Sequence, residues 1–168
     1  KGFVGRPGKI EDKHGDISMK MIGNYTVSDY PLCRSEIIKR IGFFNENMKA
    51  AGEDVEYWNR ASFFTKFYYV DLPLTRYRVH SDNNSVINLR YYLKLNIFNK
   101  KFLHDFMIKG IITESSYKKL IQSLVRNQIK MCKQGLIDNL YYLFKLNKFW
   151  FLSFYNIKLM VFVLFFKK

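Results

Sequence analysis

The sequence predicts a mixed α/β segment followed by an all-α one. Three observations carry this: short strand-like runs set between glycines before residue 85, an apolar stripe at spacings of three and four after residue 113, and a charge balance that changes between the two halves. With 168 residues and 48% hydrophobic content, one core of ordinary size can be buried, with room for a second small helical unit. Residues 1–84 carry 13 basic and 11 acidic side chains, whereas residues 85–168 carry 15 and 3, so the positive excess belongs to the second half. The two cysteines, Cys33 and Cys132, are far apart and outside any C-x-x-C, which indicates neither a zinc site nor a disulfide framework and suits a reducing compartment. No signal peptide opens the chain and residue 1 is Lys, so the sequence reads as a piece of a longer protein.

Taken in order, residues 1–31 hold Gly2, Gly5, Gly8, Gly15 and Gly23, and Lys9-Ile10-Glu11 and Ile17-Ser18-Met19-Lys20-Met21 flank a polar turn around Asp12 to Asp16. This pattern predicts a hairpin. Ser35 is placed to cap a helix running through Ile41, with Gly42 as its stop. A second helix is expected from Glu53 to Phe64, with Gly52 just before it, an acidic pair in its first turn, and Val55, Trp58, Ala61 and Ser62 on one face. Phe67-Tyr68-Tyr69-Val70 and Leu74-Thr75-Arg76-Tyr77-Arg78-Val79 read as two strands, closed by the polar loop His80 to Asn84. Beyond residue 85 the pattern is helical. The clearest stripe is Tyr117, Leu120, Ile121, Leu124, Val125, Gln128, Ile129 and Cys132, with Thr113 as its cap and Gly135 as its stop. Residues 149–166 are nearly all apolar, interrupted by Asn156 and Lys158.

Four motifs follow one another: Cys33-Arg34-Ser35-Glu36, Ile41-Gly42-Phe43-Phe44-Asn45-Glu46, Gly52-Glu53-Asp54-Val55-Glu56-Tyr57-Trp58-Asn59-Arg60, and Tyr77-Arg78-Val79-His80. In this order and spacing they resemble the second half of family 2 glycosyltransferases, over roughly residues 10–85. The resemblance implies a partial GT-A (nucleotide-diphospho-sugar transferase-like) domain over residues 1–84, its donor-binding half missing, followed by the all-α tail over residues 85–168. It implies transfer of a sugar from a nucleotide-diphospho-sugar donor to a glycan or lipid-linked acceptor with inversion, in bacterial surface polysaccharide synthesis. Asp54 would be the general base, and Glu53 would orient the acceptor. A carboxylate in the first turn of a helix is held by backbone N–H groups at a fixed edge, which suits that task; it would equally serve only to complement the helix dipole.

By the same resemblance His80 approaches a divalent cation, Mn²⁺ or Mg²⁺, on the donor diphosphate, against a plain role as a loop hydrogen-bonder. Arg78 would reach diphosphate oxygens or stay solvated on its strand. Trp58 would form a sugar-facing platform or simply join the core. No Asp-x-Asp occurs in the chain, so donor binding and turnover are expected to need sequence upstream of Lys1, and the chain by itself is expected to be inactive.

The basic, aromatic tail fits an anionic membrane surface at the cytoplasmic face of the cell membrane, with residues 149–166 lying in plane or inserting shallowly, in preference to spanning the bilayer or being buried in a helical packing unit. Lys158 would cost about 2.5–3.5 kcal/mol at the centre of a spanning helix. The competing reading is a non-catalytic basic module that binds membrane or nucleic acid. Aromatic residues in contiguous apolar blocks favour lipid over nucleic acid, whose binders set single aromatic residues in polar grooves.

Overall fold

Asp16 decides the first element. Its Oδ1 accepts hydrogen bonds from Ser18 N (3.2 Å) and Ser18 Oγ (2.8 Å), and Met21 N bonds back to Ile17 O at 2.8 Å. An aspartate that accepts from the N–H and hydroxyl of the residue two positions on favours a turn over an extended strand, so Ile17 to Met21, expected as a hairpin strand, instead contains helix α1 (Ser18–Met21). The computed structural model describes residues 13–24, 31–48, 52–70, 72, 93–132 and 135–166. The first limb of the expected hairpin and the expected strand at residues 74–79 lie outside these.

Two short helices follow. In α2 (Ser35–Ile41) the capping position is Arg34 and not Ser35; Ser35 already has helical geometry and makes no capping bond. Gly42 ends the helix as expected, donating to Ile38 O at 3.0 Å. Helix α3 (Glu53–Ala61) begins where expected and stops earlier, passing into a turn in which Ser62 Oγ donates to Asn59 O and Phe64 N to Ala61 O. Phe67 forms only an isolated antiparallel bridge with Gly15.

Among the described residues there is no strand and no sheet: this part of the protein is helical, which overturns the expectation of an α/β GT-A domain. The physical reason is the pairing. A strand holds only against a neighbour, and Phe67 and Gly15 exchange two bonds (2.7 and 2.9 Å) with no ladder on either side of them.

The remaining helices are α4 (Leu95–Ile108), α5 (Glu114–Met131), α6 (Leu136–Leu146), a single 3-10 turn (Trp150–Leu152) and α7 (Phe154–Phe165). Helix α5 is the centre, packed against α4, α6 and α7. The Thr113 cap is observed, its Oγ1 accepting from Ser116 N at 3.1 Å. The expected stripe faces inward: Leu120, Ile121, Leu124, Val125 and Ile129 are buried, and each contributes about 1.5–3 kcal/mol by leaving water. Gly135 precedes α6 as its capping residue rather than acting as a stop within α5.

Ile22, directly after α1, joins the core built by these helices, and Phe63 and Phe64 from the turn that follows α3 pack against it. Their rings meet Phe102 and Phe106 of α4 edge-on at 5.3–6.2 Å. Lys100 closes the C-terminal end of α6, its Nζ donating to Lys145 O (2.7 Å) and Leu146 O (2.8 Å). The long apolar run at residues 149–166 is broken at Ser153, whose hydroxyl accepts from Asn156 N and starts α7 afresh. No helix among the described residues is long and apolar enough to cross a membrane.

Candidate functional site

Gly52 has φ 86° and ψ 2°, the left-handed region that suits glycine, and from there the chain turns directly into α3. Glu53 and Asp54 are thereby the first two helical residues, in the turn where backbone N–H groups lack intrahelical partners. Asp54 Oδ1 accepts from Val55 N at 2.7 Å, so its carboxylate is held against the start of the helix. Glu53 is half-buried, and its Oε2 is buried without a hydrogen-bond partner among the described residues. A carboxylate oxygen withdrawn from water and left without a donor is unfavourable until a donor is supplied, and a sugar hydroxyl is a donor of the required kind.

A brace that sequence reasoning left without a role holds this helix start in place. Glu56 and Arg60 are one helical turn apart and pair through two bonds, at 2.8 and 3.1 Å. The same guanidinium donates to Ile41 O (2.7 Å) and Phe43 O (2.9 Å), which ties the Gly42-Phe43 turn to α3. Burial raises the Glu56 carboxyl above its ordinary value, and the hydrogen bond and charge of Arg60 draw it only part of the way back. The i, i+4 spacing of Glu and Arg in the third motif was the signal available in the sequence.

Aromatic rings line the same helix. Phe44 stacks on Tyr57 with centroids 4.4 Å apart, Trp58 meets Tyr57 edge-on at 5.0 Å, and Arg60 lies over the Tyr57 ring at 5.3 Å. Trp58 is half-buried, so it is neither a fully exposed platform nor a core residue. Buried Tyr57 forms the centre of this cluster.

Of the expected site, Glu53, Asp54 and Trp58 all lie on α3. Arg76, Arg78 and His80 lie outside the described residues. Among the described residues no group of three His, Cys, Asp or Glu side chains is placed to hold a metal ion. His14 and His104 each make a ring contact, with Tyr68 and Tyr117 respectively. Comparison of the chain with protein-family models, curated proteins and solved structures gives no match.

Proposed function

We propose that this chain is the acceptor-side, base-bearing part of a glycosyltransferase that uses a nucleotide-diphospho-sugar donor. The observation that carries the proposal is the Gly52-Glu53-Asp54 helix start, where two consecutive carboxylates open α3, a helix that Arg60 ties to the Gly42-Phe43 turn. In this reading Asp54 takes the proton of an acceptor hydroxyl as that oxygen forms a bond to the anomeric carbon of the donor sugar. The bond from that carbon to the diphosphate breaks, and the nucleoside diphosphate leaves with its electron pair. Attack from the face opposite the leaving group inverts the anomeric centre. Glu53, whose Oε2 has no hydrogen-bond partner among the described residues, receives a second hydroxyl and sets the acceptor's orientation. A positioned base of this kind contributes about 10²–10⁴ in rate.

The order and spacing of the four motifs support the same reading, with a glycan or lipid-linked acceptor and a donor half supplied upstream of Lys1. The divalent cation belongs to that donor half, with His80 as the residue of this chain to test. A direct experiment is to incubate the full-length gene product with a panel of labelled nucleotide sugars and a membrane extract as acceptor. Incorporation of label from one donor, with release of its nucleoside diphosphate, is the expected result. No incorporation from any donor, together with salt-sensitive retention on DNA, would favour the non-catalytic basic module instead.

A further inference from the structure

Helix α7 is covered on one side only. Asn156, Met160 and Val163 face the core, whereas Phe154 (81% exposed), Val161, Phe162 and Phe165 (77%) lie on the opposite arc with Lys158 among them. The apolar surface continues into the preceding 3-10 turn through Leu152, which is 71% exposed, and Phe151. The Phe151 ring lies 6.2 Å from that of Phe144, an exposed residue of α6, so the 3-10 turn and α6 share one apolar surface.

Cations edge this surface, each over an aromatic ring: Arg126 over Tyr155 at 4.9 Å, Lys148 over Phe149 at 4.9 Å and Lys145 over Tyr141 at 4.6 Å. Within residues 135–166 the only acidic side chain is Asp138.

From this arrangement we propose that the outer face of α7, the Trp150–Leu152 turn and the adjoining edge of α6 dock on an anionic lipid bilayer, with α7 lying in the plane of the interface. Rings sunk to the level of the acyl boundary with lysine and arginine heads at the phosphates is the arrangement that such a boundary stabilises. A twelve-residue helix is about 18 Å long, well short of the ~30 Å hydrocarbon core, so lying flat is the geometry open to it. Lys158 selects lipid over a second copy. A symmetric pairing through this face would bring two Lys158 ammonium groups into a desolvated contact between chains of net charge +14, whereas at a bilayer its stem reaches outward to phosphate. Docking of this face is independent of what Glu53 and Asp54 do, so vesicle binding and sugar transfer succeed or fail separately.

The test is flotation of the full chain with vesicles of phosphatidylcholine alone or with a minority of phosphatidylglycerol, at low and high salt. The wild type should float with the anionic vesicles and less so at high salt. Phe154→Glu combined with Phe165→Glu should lower that affinity at least about tenfold, with far-UV circular dichroism unchanged because both positions are exposed. Lys158→Glu should weaken binding to the anionic vesicles and leave any residual binding to neutral ones. Wild type that stays with the soluble fraction, or a double variant that floats as well as wild type, overturns the proposal. So does a lipid-free dimer that the double substitution dissociates, which would assign the face to a second copy.

Discussion

Arg60 shows how one side chain converts local structure into a site. Its planar fork reaches Glu56 on its own helix and two carbonyls of the preceding turn, a combination that a single ammonium cannot reproduce. Arg60→Lys should cost about 1–3 kcal/mol, read as a lower thermal midpoint, and reduce transfer by loosening the helix start that carries Asp54. Glu56 gives a separate test through pH. Its carboxyl is raised above the ordinary 4.5 by burial, so it favours folding below about that pH, and the benefit is lost as pH rises through the folded value. The stability difference between wild type and Glu56→Gln should therefore be constant in acid and shift against wild type with rising pH; denaturant titrations across mildly acidic to neutral pH measure it. Gly52, Glu53 and Asp54 were legible in the sequence because helix starts obey rules that span a few residues. The reach of Arg60 to Ile41 and Phe43 was not, since those partners lie 19 and 17 residues back and are set by tertiary packing.

At the scale of elements, α4, α5 and α6 are joined by amides as well as by apolar contact. Gln128, buried in α5, accepts from Asn96 Nδ2 at 2.7 Å and donates to Asn139 Oδ1 at 2.7 Å and Leu93 O at 3.3 Å. Asn139 in turn donates to Met131 O and Gly135 O, closing the link between α5 and α6. A leucine at this position has a similar size and leaves Asn96 and Asn139 short of partners inside the core. Gln128→Leu should thus destabilise by about 2–4 kcal/mol despite being more apolar, as equilibrium unfolding would show. The stripe on α5 was legible from its spacing, yet Gln128 sat in it as one more inward position. Its partners on α4 and α6 are unrelated to helical period. The expected hairpin failed for the opposite reason: alternation in Ile17 to Met21 suggested a strand, and the local bond from Ser18 to Asp16 outweighed it.

For the whole molecule, the notable join is between the first residues described and the helical unit far along the chain. Ser123 Oγ donates to Ile22 O at 2.7 Å, and a Cβ on Gly23 would stand 2.8 Å from Ser123 O. Gly23 also has φ 73°, so Gly23→Ala is opposed both by backbone conformation and by close approach, and should cost about 2 kcal/mol or more. Because Ile22 belongs to the core around α5, that loss should appear as an earlier single unfolding transition. The sequence led to a sheet-based architecture through motifs whose strands needed partners; what is seen instead is a helical body with a braced carboxylate pair at the start of α3.

The proposed chemistry centres on Asp54. The decisive measurement compares full-length wild type with Asp54→Asn, recording the rate of sugar transfer at saturating donor and, separately, donor affinity by calorimetry. A fall in rate of about 10²–10⁴ with donor affinity unchanged is the predicted result. Transfer at the wild-type rate would contradict it, leaving Asp54 as a residue that only holds the start of its helix.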